Sequence, residues 1–439
     1  MVKYNNYSSR KKVFKIFGIP IFETNKITNG IREGVYGGLK FKRREMHFMP
    51  EDKIKKIRLE YKDKPKELLI VFSDSIGDYI LFRNFLKILK NSQKYKSYRL
   101  VLLCSKSYYN FARYLDCDII DEFIQLPSRM ENMSRKKYKK VRQDLHQLYG
   151  LKNFYDTIIS PSINSVWKLD YHRYLLSEVL YNENIIYRFS PNDDISCSEF
   201  LDYTHVFVNY DDKELFIFDA YKAFFEDLLE EKISLKYPFI EENKINSNSN
   251  ISMQDKGDYI IINPCAFNDY RMWHRYNYIK LIEYIKNELG LNVVIVCGGN
   301  SEKKYCEDLV KELGFDIRVF SGLCVQDLLR TIKYAKLYIG QDSGVFHIAA
   351  ALDVKALCLS AGNAYFQFMN YPNYRKNIKI LRPTGVEDWI IKNKTNDFYM
   401  INSVNSFYIN QIRVSDVKKW VNFLLLQSEN SYVGVKNKC

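Results

Sequence analysis

The sequence predicts an α/β protein built as two Rossmann-like, doubly wound parallel-sheet domains facing a cleft. Three observations carry that expectation. Short continuous apolar runs, each followed by a polar turn and a helical stretch, recur from Lys66 onward; residues 244–258 interrupt them; and the same alternation then resumes. A chain of 439 residues is too long for one ordinary domain and suits two.

Leu68–Phe72 is apolar at every position, as a strand buried on both faces of a parallel sheet must be. Ser73–Asp78 is a polar turn around Gly77, and Tyr79–Lys90 reads as a helix with one broad apolar face. Further strands are expected at Leu100–Leu103, Thr157–Ile159 and Val206–Val208. The break, KINSNSNISMQDKGD, is rich in Asn and Ser and poor in apolar residues, as linkers are. Beyond it, strands are expected at Tyr259–Ile262, Val293–Val296, Ile317–Phe320, Leu337–Ile339 and Ala356–Leu359. Helices are expected at Tyr278–Leu289, Lys303–Leu313, Asp327–Tyr334 and Val345–Leu352. The expected organisation is a basic extension without sustained period (1–64), a first Rossmann-like domain (65–243), a linker (244–258), a second Rossmann-like domain (259–400) and a helical tail (401–439).

With 46% hydrophobic and 27% charged residues the chain can bury a sizeable core. No apolar run approaches the length of a membrane span, and Met1–Lys12 is polar and basic rather than a secretory signal. The 9 cysteines are odd in number and form no C-x-x-C pair, which favours reduced thiols in a cytoplasmic protein over a disulfide frame or a zinc site. A net charge of +14 favours anionic partners. Its densest run, Arg135–Arg142, is either a solvated helix face or a surface that docks peripherally on anionic lipid at the inner face of the cytoplasmic membrane. No zinc-finger, RNP or helix-turn-helix pattern accompanies the charge, so nucleic acid is not expected as a partner.

Three strand-to-helix loops carry the candidate chemistry. In Ser73–Asp78 small residues admit a ligand to the backbone, and Asp78 is either a functional carboxylate or a helix N-cap. In Gly340–His347, free backbone N–H groups around Ser343 to Phe346, Gly344 among them, can cradle a diphosphate, with His347 near the helix start. Asp342 repels phosphate and suits sugar hydroxyls instead. In Asn263–Arg275, Arg271 can neutralise a phosphate, while Trp273 either contributes to the site or wedges the loop in place.

Together these loops resemble glycosyltransferase family 9, the ADP-heptose-dependent lipopolysaccharide heptosyltransferases and their relatives. Ser75-Ile76-Gly77-Asp78 matches the last four positions of the family's S-S-x-G-D loop, with Asp74 in place of the first Ser. Asp342-Ser343-Gly344-Val345-Phe346-His347-Ile348-Ala349-Ala350 matches D-S-G-x-x-H-x-A-A throughout, and Arg271 with Trp273 matches a basic residue two before a Trp. The resemblance runs from about Lys66 to Pro372. It implies a GT-B fold and inverting sugar transfer with neither metal nor cofactor. The donor is a nucleotide-sugar, ADP-linked by preference, and the acceptor a lipopolysaccharide-type glycan. Asp78 would be the general base, Arg271 would stabilise the departing diphosphate, and Asp342 would hold the donor sugar. The backbone of Ser343 and Gly344, with His347, would bind the diphosphate, and Glu302 the nucleotide ribose.

The sequence departs from the family at Cys265, where Gly is usual, at His274, where Pro is usual, and at Asp353-Val354-Lys355, where Gly-x-Pro is usual. Asp116-Cys117-Asp118 has the D-x-D spacing of metal-dependent transferases but reads as surface turn chemistry. A protein acceptor in place of the glycan, and a non-catalytic binding protein on the same fold, remain as alternatives.

Overall fold

The computed structural model describes backbone and side chains for residues 65–125, 155–161, 216–245, 259–266, 269–362, 365–372, 375–392 and 408–426. Residues 11–16, 19–27, 31–36, 39–44, 185–189, 205–208 and 393 are described as backbone alone. The Arg135–Arg142 run, Cys197, Cys439 and most of the expected linker lie outside the described residues. By internal contacts the chain divides into two compact units, Met1–Val71 with Pro127–Val208, and Phe72–Leu126 with Asn209–Cys439.

Within residues 1–64, expected to lack sustained periodicity, four strands pair antiparallel in sequence order: β1 (Lys11–Ile16), β2 (Ile19–Ile27), β3 (Ile31–Tyr36) and β4 (Leu39–Arg44). The one register shift falls between Phe14 and Lys15, where Lys15 faces Pro20. Proline has no N–H for the ladder, so an irregularity there is the expected accommodation.

Two six-stranded sheets follow. The first contains β5 (Glu67–Phe72), β6 (Arg99–Cys104), β7 (Glu122–Gln125), β8 (Thr157–Ser160), β9 (Ile185–Phe189) and β10 (His205–Val208), in the order β10-β9-β8-β5-β6-β7. With it run helices α1 (Ile76–Phe82), α2 (Asn84–Asn91), α3 (Tyr109–Asp116) and α4 (Ile217–Leu229). The second contains β11 (Tyr259–Asn263), β12 (Asn292–Cys297), β13 (Arg318–Ser321), β14 (Leu337–Gln341), β15 (Ala356–Leu359) and β16 (Ile378–Leu381), in the order β13-β12-β11-β14-β15-β16. Its helices are α5 (Arg275–Asn287), α6 (Asn300–Leu313), α7 (Val325–Lys333), α8 (Gly344–Ala351), α9 (Tyr365–Phe368), α10 (Val386–Asn393) and α11 (Val414–Leu426). Every neighbouring pair of the second sheet is parallel. Both orders read 3-2-1-4-5-6 from one edge, the doubly wound arrangement in which ligands sit beyond the carboxyl ends of the first and fourth strands. In the second sheet those are β11 and β14.

The strands are buried because they are apolar on both faces: Leu68–Phe72, Ile260–Ile262 and Leu337–Ile339 are all 0% exposed. The second sheet's core takes in Leu281 and Ile285 from α5, Cys306 and Leu309 from α6, and Val417, Val421 and Leu424 from α11. The C-terminal helix therefore completes this core. Seven of the cysteines are described as free thiols, five of them buried, Cys104, Cys265, Cys297, Cys306 and Cys358. Among the described residues no helix is long and apolar enough to cross a membrane.

Two local expectations are corrected. The helix after β5 begins at Ile76 rather than Tyr79 and is interrupted at Arg83. Asp116 belongs to no surface turn: it is 0% exposed at the end of α3, where Arg83 Nη2 meets its Oδ1 at 2.8 Å, Arg83 Nε donates to its Oδ2 at 3.1 Å, and the Tyr79 hydroxyl donates to that same oxygen. Only Asp118 faces outward, to Lys244 at 2.7 Å. Arg83 also donates to the Phe239 carbonyl at 2.8 Å, Asn84 exchanges bonds with the Phe239 backbone, and Ile240 N–H donates to the Ala351 carbonyl at 2.9 Å. The strap 239–241 thus ties the α1–α2 break to the last turn of α8.

Candidate active site

The site is built where α1 and α8 begin, and both helices lie in the second compact unit. Ser75 is the N-cap of α1 and Asp78 its third residue, so the even choice between cap and functional carboxylate resolves into a capping box. The Ser75 N–H donates to Asp78 Oδ2 at 2.9 Å, and the Ser75 hydroxyl donates to the same oxygen. Asp78 is 8% exposed, and its Oδ1 has no hydrogen-bond partner among the described residues. One oxygen orients the carboxylate and the other remains for chemistry.

Gly77 and Gly344 determine how near the two helix starts can come. A Cβ on Gly77 would lie 2.8 Å from His347 Cδ2 and 3.5 Å from Gly344 Cα. A Cβ on Gly344 would collide with the Ile76 side chain and lie 3.3 Å from Gly77 N. The small residues of the first loop were expected to admit a ligand to the backbone; here each of the two glycines admits the other loop. The contact sets Asp78 close enough to Asp342 and His347 for its charge to act on both.

Asp342 follows β14 and precedes the Ser343 N-cap of α8. Arg271 Nη1 stands 3.6 Å from its Oδ2. Burial pushes the Asp342 carboxyl up; Arg271 opposes that, Asp78 adds to it, and Arg382 opposes it in turn. Arg382, at the carboxyl end of β16, was not foreseen: it stacks on the Tyr365 ring at 4.4 Å and pairs with Glu387 at 3.4 Å. Only its partners in space give it away, since nothing around it in the sequence matches a motif.

Arg271 is held from below. Gln341 is 0% exposed, and with its amide nitrogen facing the Leu359 and Arg271 carbonyls it donates at 3.1 and 2.6 Å, while its oxygen accepts from Trp273 N at 3.0 Å and from the Tyr278 hydroxyl. Trp273 is buried and donates through Nε1 to the Ile412 carbonyl at 2.9 Å, which makes it the wedge of this loop. His274, in place of the family's Pro, caps α5 by accepting from Tyr276 N at 3.3 Å.

At the start of α8 some of the backbone N–H groups expected to cradle a diphosphate are engaged and others are not. Phe346 N–H is taken by the Ser343 carbonyl at 3.1 Å, which leaves Gly344 and Val345 in the first turn, where a helix supplies no acceptor. The Ser343 hydroxyl donates to Asn263 Oδ1 at 3.2 Å rather than capping the helix. His347 is 4% exposed, and burial pushes its imidazole down to about 4 despite the opposing charge of Asp78. It is therefore neutral at physiological pH. Glu302 reaches back to Gly298 N at 2.7 Å, so one of its oxygens already closes the turn before α6. Asp353 adopts φ +58°, the left-handed conformation for which the family uses Gly, and its Oδ1 accepts from Asn377 at 3.0 Å and Arg375 at 3.3 Å. Among the described residues no group of three or more His, Cys, Asp or Glu is arranged to hold a metal ion.

Comparisons with known proteins bear on the fold and on the family. Residues 217–382 match the model of glycosyltransferase family 9 (heptosyltransferase). Lipopolysaccharide heptosyltransferase 3 of Escherichia coli (strain K12) is 30% identical over 108 residues, which are 24% of this chain and 31% of that protein. The chain thus matches about a third of the length of that curated relative. Among solved structures, E. coli heptosyltransferase WaaC with ADP superposes with a TM-score of 0.59 at 15% identity, over 82% of this chain and 99% of its own. The family 9 glycosyl transferase from Veillonella parvula DSM 2008 gives 0.58 at 18%, over 82% and 97%, and E. coli ADP-heptose lps heptosyltransferase II gives 0.55 at 16%, over 83% and 99%. The chain has their two-sheet GT-B fold and is similar to glycosyltransferase family 9, the heptosyltransferases.

Proposed function

We propose that the chain is an inverting glycosyltransferase that moves a sugar, a heptose by preference, from an ADP-linked donor to a hydroxyl of a lipopolysaccharide-type glycan. The single observation that carries this reading is the contact of the two motif loops through Gly77 and Gly344, which brings one partly open carboxylate, Asp78, against the helix start that bears Asp342, Ser343, Gly344 and His347. Asp78 Oδ1 removes the proton of the acceptor hydroxyl as the glycosidic bond forms. Arg271 stabilises the charge that grows on the diphosphate as the donor bond breaks. Asp342, kept near Arg271, takes sugar hydroxyls. The first-turn N–H groups of α8 and the neutral His347 donate to the diphosphate, and the second oxygen of Glu302 is available to the ribose.

Relatives described as acting on lipopolysaccharide or holding ADP support the glycan acceptor and the ADP donor. We place the protein at the inner face of the cytoplasmic membrane, with the Arg135–Arg142 run as its contact with anionic lipid and no role for nucleic acid. The two α/β halves then serve acceptor and donor as the domain boundaries at 65–243 and 259–400 anticipate. Thermal-shift titration with ADP-, GDP- and UDP-sugars tests the donor, because a ligand that binds the native state raises its apparent stability. The largest shift is expected with an ADP-sugar, and a preference for UDP- or GDP-sugars would overturn it.

A further inference from the structure

We propose that Tyr371 is the positioning residue that sets the tautomer of His347, its phenol donating to Nδ1 so that Nε2–H stands as a fixed, uncharged donor to an anionic oxygen of the donor diphosphate. This rests on the reading of His347 as a diphosphate group given above.

The Tyr371 hydroxyl and His347 Nδ1 are 2.8 Å apart, and both residues are buried, at 8% and 4% exposure. A hydrogen bond at this distance has two possible directions. If Nδ1–H donated, the phenol proton would need another acceptor, and among the described residues the hydroxyl has no other partner. A buried O–H left undonated is costly, whereas Nδ1 accepts it at no such penalty. The phenol itself stays protonated: burial pushes Tyr371 up, opposed by Arg375 and helped by Cys358 and Asp342. The proton of the neutral imidazole then resides on Nε2.

The surroundings favour the same state. Tyr371 is held in place by Phe216 and Phe346, with ring centroids 4.7 and 5.5 Å away, and its ring lies nearly parallel to that of His347, 24° apart. On the opposite side the imidazole meets Gly77, whose missing Cβ would lie 3.5 Å from Nε2. Asp78 on α1 is the charged group that acts on the ring. Phe346 and Phe368 are further aromatic neighbours of the ring among the described residues and carry no charge. Nε2 has no partner among the described residues, so its hydrogen is available to a ligand at the junction of the two loops. The result is a donor that needs no protonation to bind an anion.

Two measurements test the assignment. In protein labelled with 15N-histidine, with His347→Gln to assign the ring, His347 is expected to show a protonated Nε2 and an unprotonated Nδ1; the reverse pattern overturns the inference without reference to catalysis. ADP is then titrated into wild type and Tyr371→Phe across about pH 4.5 to 8, and the ratio of the two dissociation constants cancels the titration of ADP itself. Near pH 8 the variant is expected to bind about three- to tenfold more weakly, the loss of one neutral hydrogen bond's organisation. The ratio narrows toward the acidic end, because an imidazole released from the phenol protonates more easily and again presents Nε2–H. A purely structural role predicts the same deficit at every pH, and a constant ratio would overturn the proposal. If His347→Gln bound ADP as wild type does, the diphosphate reading would fail instead, and the ring spectra would still decide the tautomer.

Discussion

The loops after β5 and β14 are made alike and used differently. Each leaves a buried strand, holds a carboxylate and a glycine, and opens a helix. After β5 the order is cap, glycine, carboxylate: Ser75 caps α1, and Asp78 lies inside the first turn, closing its own box through Oδ2. After β14 the order is carboxylate, cap, glycine: Asp342 stands ahead of Ser343, outside the helix, and faces Arg271 at 3.6 Å. A shift of a few residues relative to the cap decides which carboxylate is oriented by its own backbone with one oxygen open, and which is held against a cation. The first arrangement suits a base, the second a grip on polar substrate groups.

The largest effect should come from the carboxylate that the first corner orients. Asp78→Asn keeps an acceptor for the Ser75 N–H but removes the base, so turnover should fall by roughly 10²–10⁴-fold. Steady-state rates with an ADP-sugar donor check this, and near-normal turnover would leave Asp78 as a capping residue only. Next is the brace behind α1. Arg83→Met leaves Asp116 buried without its cation, and breaking such a pair costs about 3–5 kcal/mol, which denaturant unfolding would register; a cost below 1 kcal/mol would show that the network is incidental to α1. On the second corner, His347 releases its proton near pH 4 when folded against 6.5 ordinarily. The unfolded chain therefore takes up the proton first as pH falls, and about 3 kcal/mol of stability present above pH 6.5 should be lost on the way down to pH 4. Melting curves of wild type and His347→Gln across that window should diverge, and equal slopes would contradict a buried neutral ring. The smallest effect expected is that of Gly77→Ala, where the Cβ must displace His347 at a cost of about 1–3 kcal/mol and should weaken ADP binding along with stability. An Ala at this position with unchanged melting and unchanged ADP affinity would show that the two corners need not touch.

How much of this was legible depended on the range of the signal. Five of the second sheet's six strands were readable to within a residue or two, β15 at Ala356–Leu359 included, because continuous apolar runs bounded by turns are local signals, whereas β16, half-buried and interrupted by Lys379, was not expected. The start of α1 was missed by three residues although Ser75-x-x-Asp78 is itself a capping-box signature; reading the stretch as a polar loop concealed it. The strands β1–β4 are short, interspersed with Lys and Arg, and show themselves through pairing rather than periodicity. Asp116 looked like turn chemistry because its partner, Arg83, lies 33 residues upstream. In the same way the motif glycines announced a close approach without saying to what, and only the fold shows that Gly77 faces His347 and Gly344 faces Ile76. The roles assigned to Asp78, Arg271, Asp342 and Glu302 were carried by resemblance; geometry adds which atoms of each are already engaged.

The division of labour between the two carboxylates is tested most directly by donor affinity, measured side by side by calorimetric titration of an ADP-sugar into wild type, Asp78→Asn and Asp342→Asn. Asp78→Asn should bind the donor as wild type does. Asp342→Asn should bind it roughly tenfold or more weakly, as expected when hydrogen bonds to a charged group are lost. Equal losses in both variants, or a loss confined to Asp78→Asn, would contradict the assignment of base to the first corner and donor grip to the second.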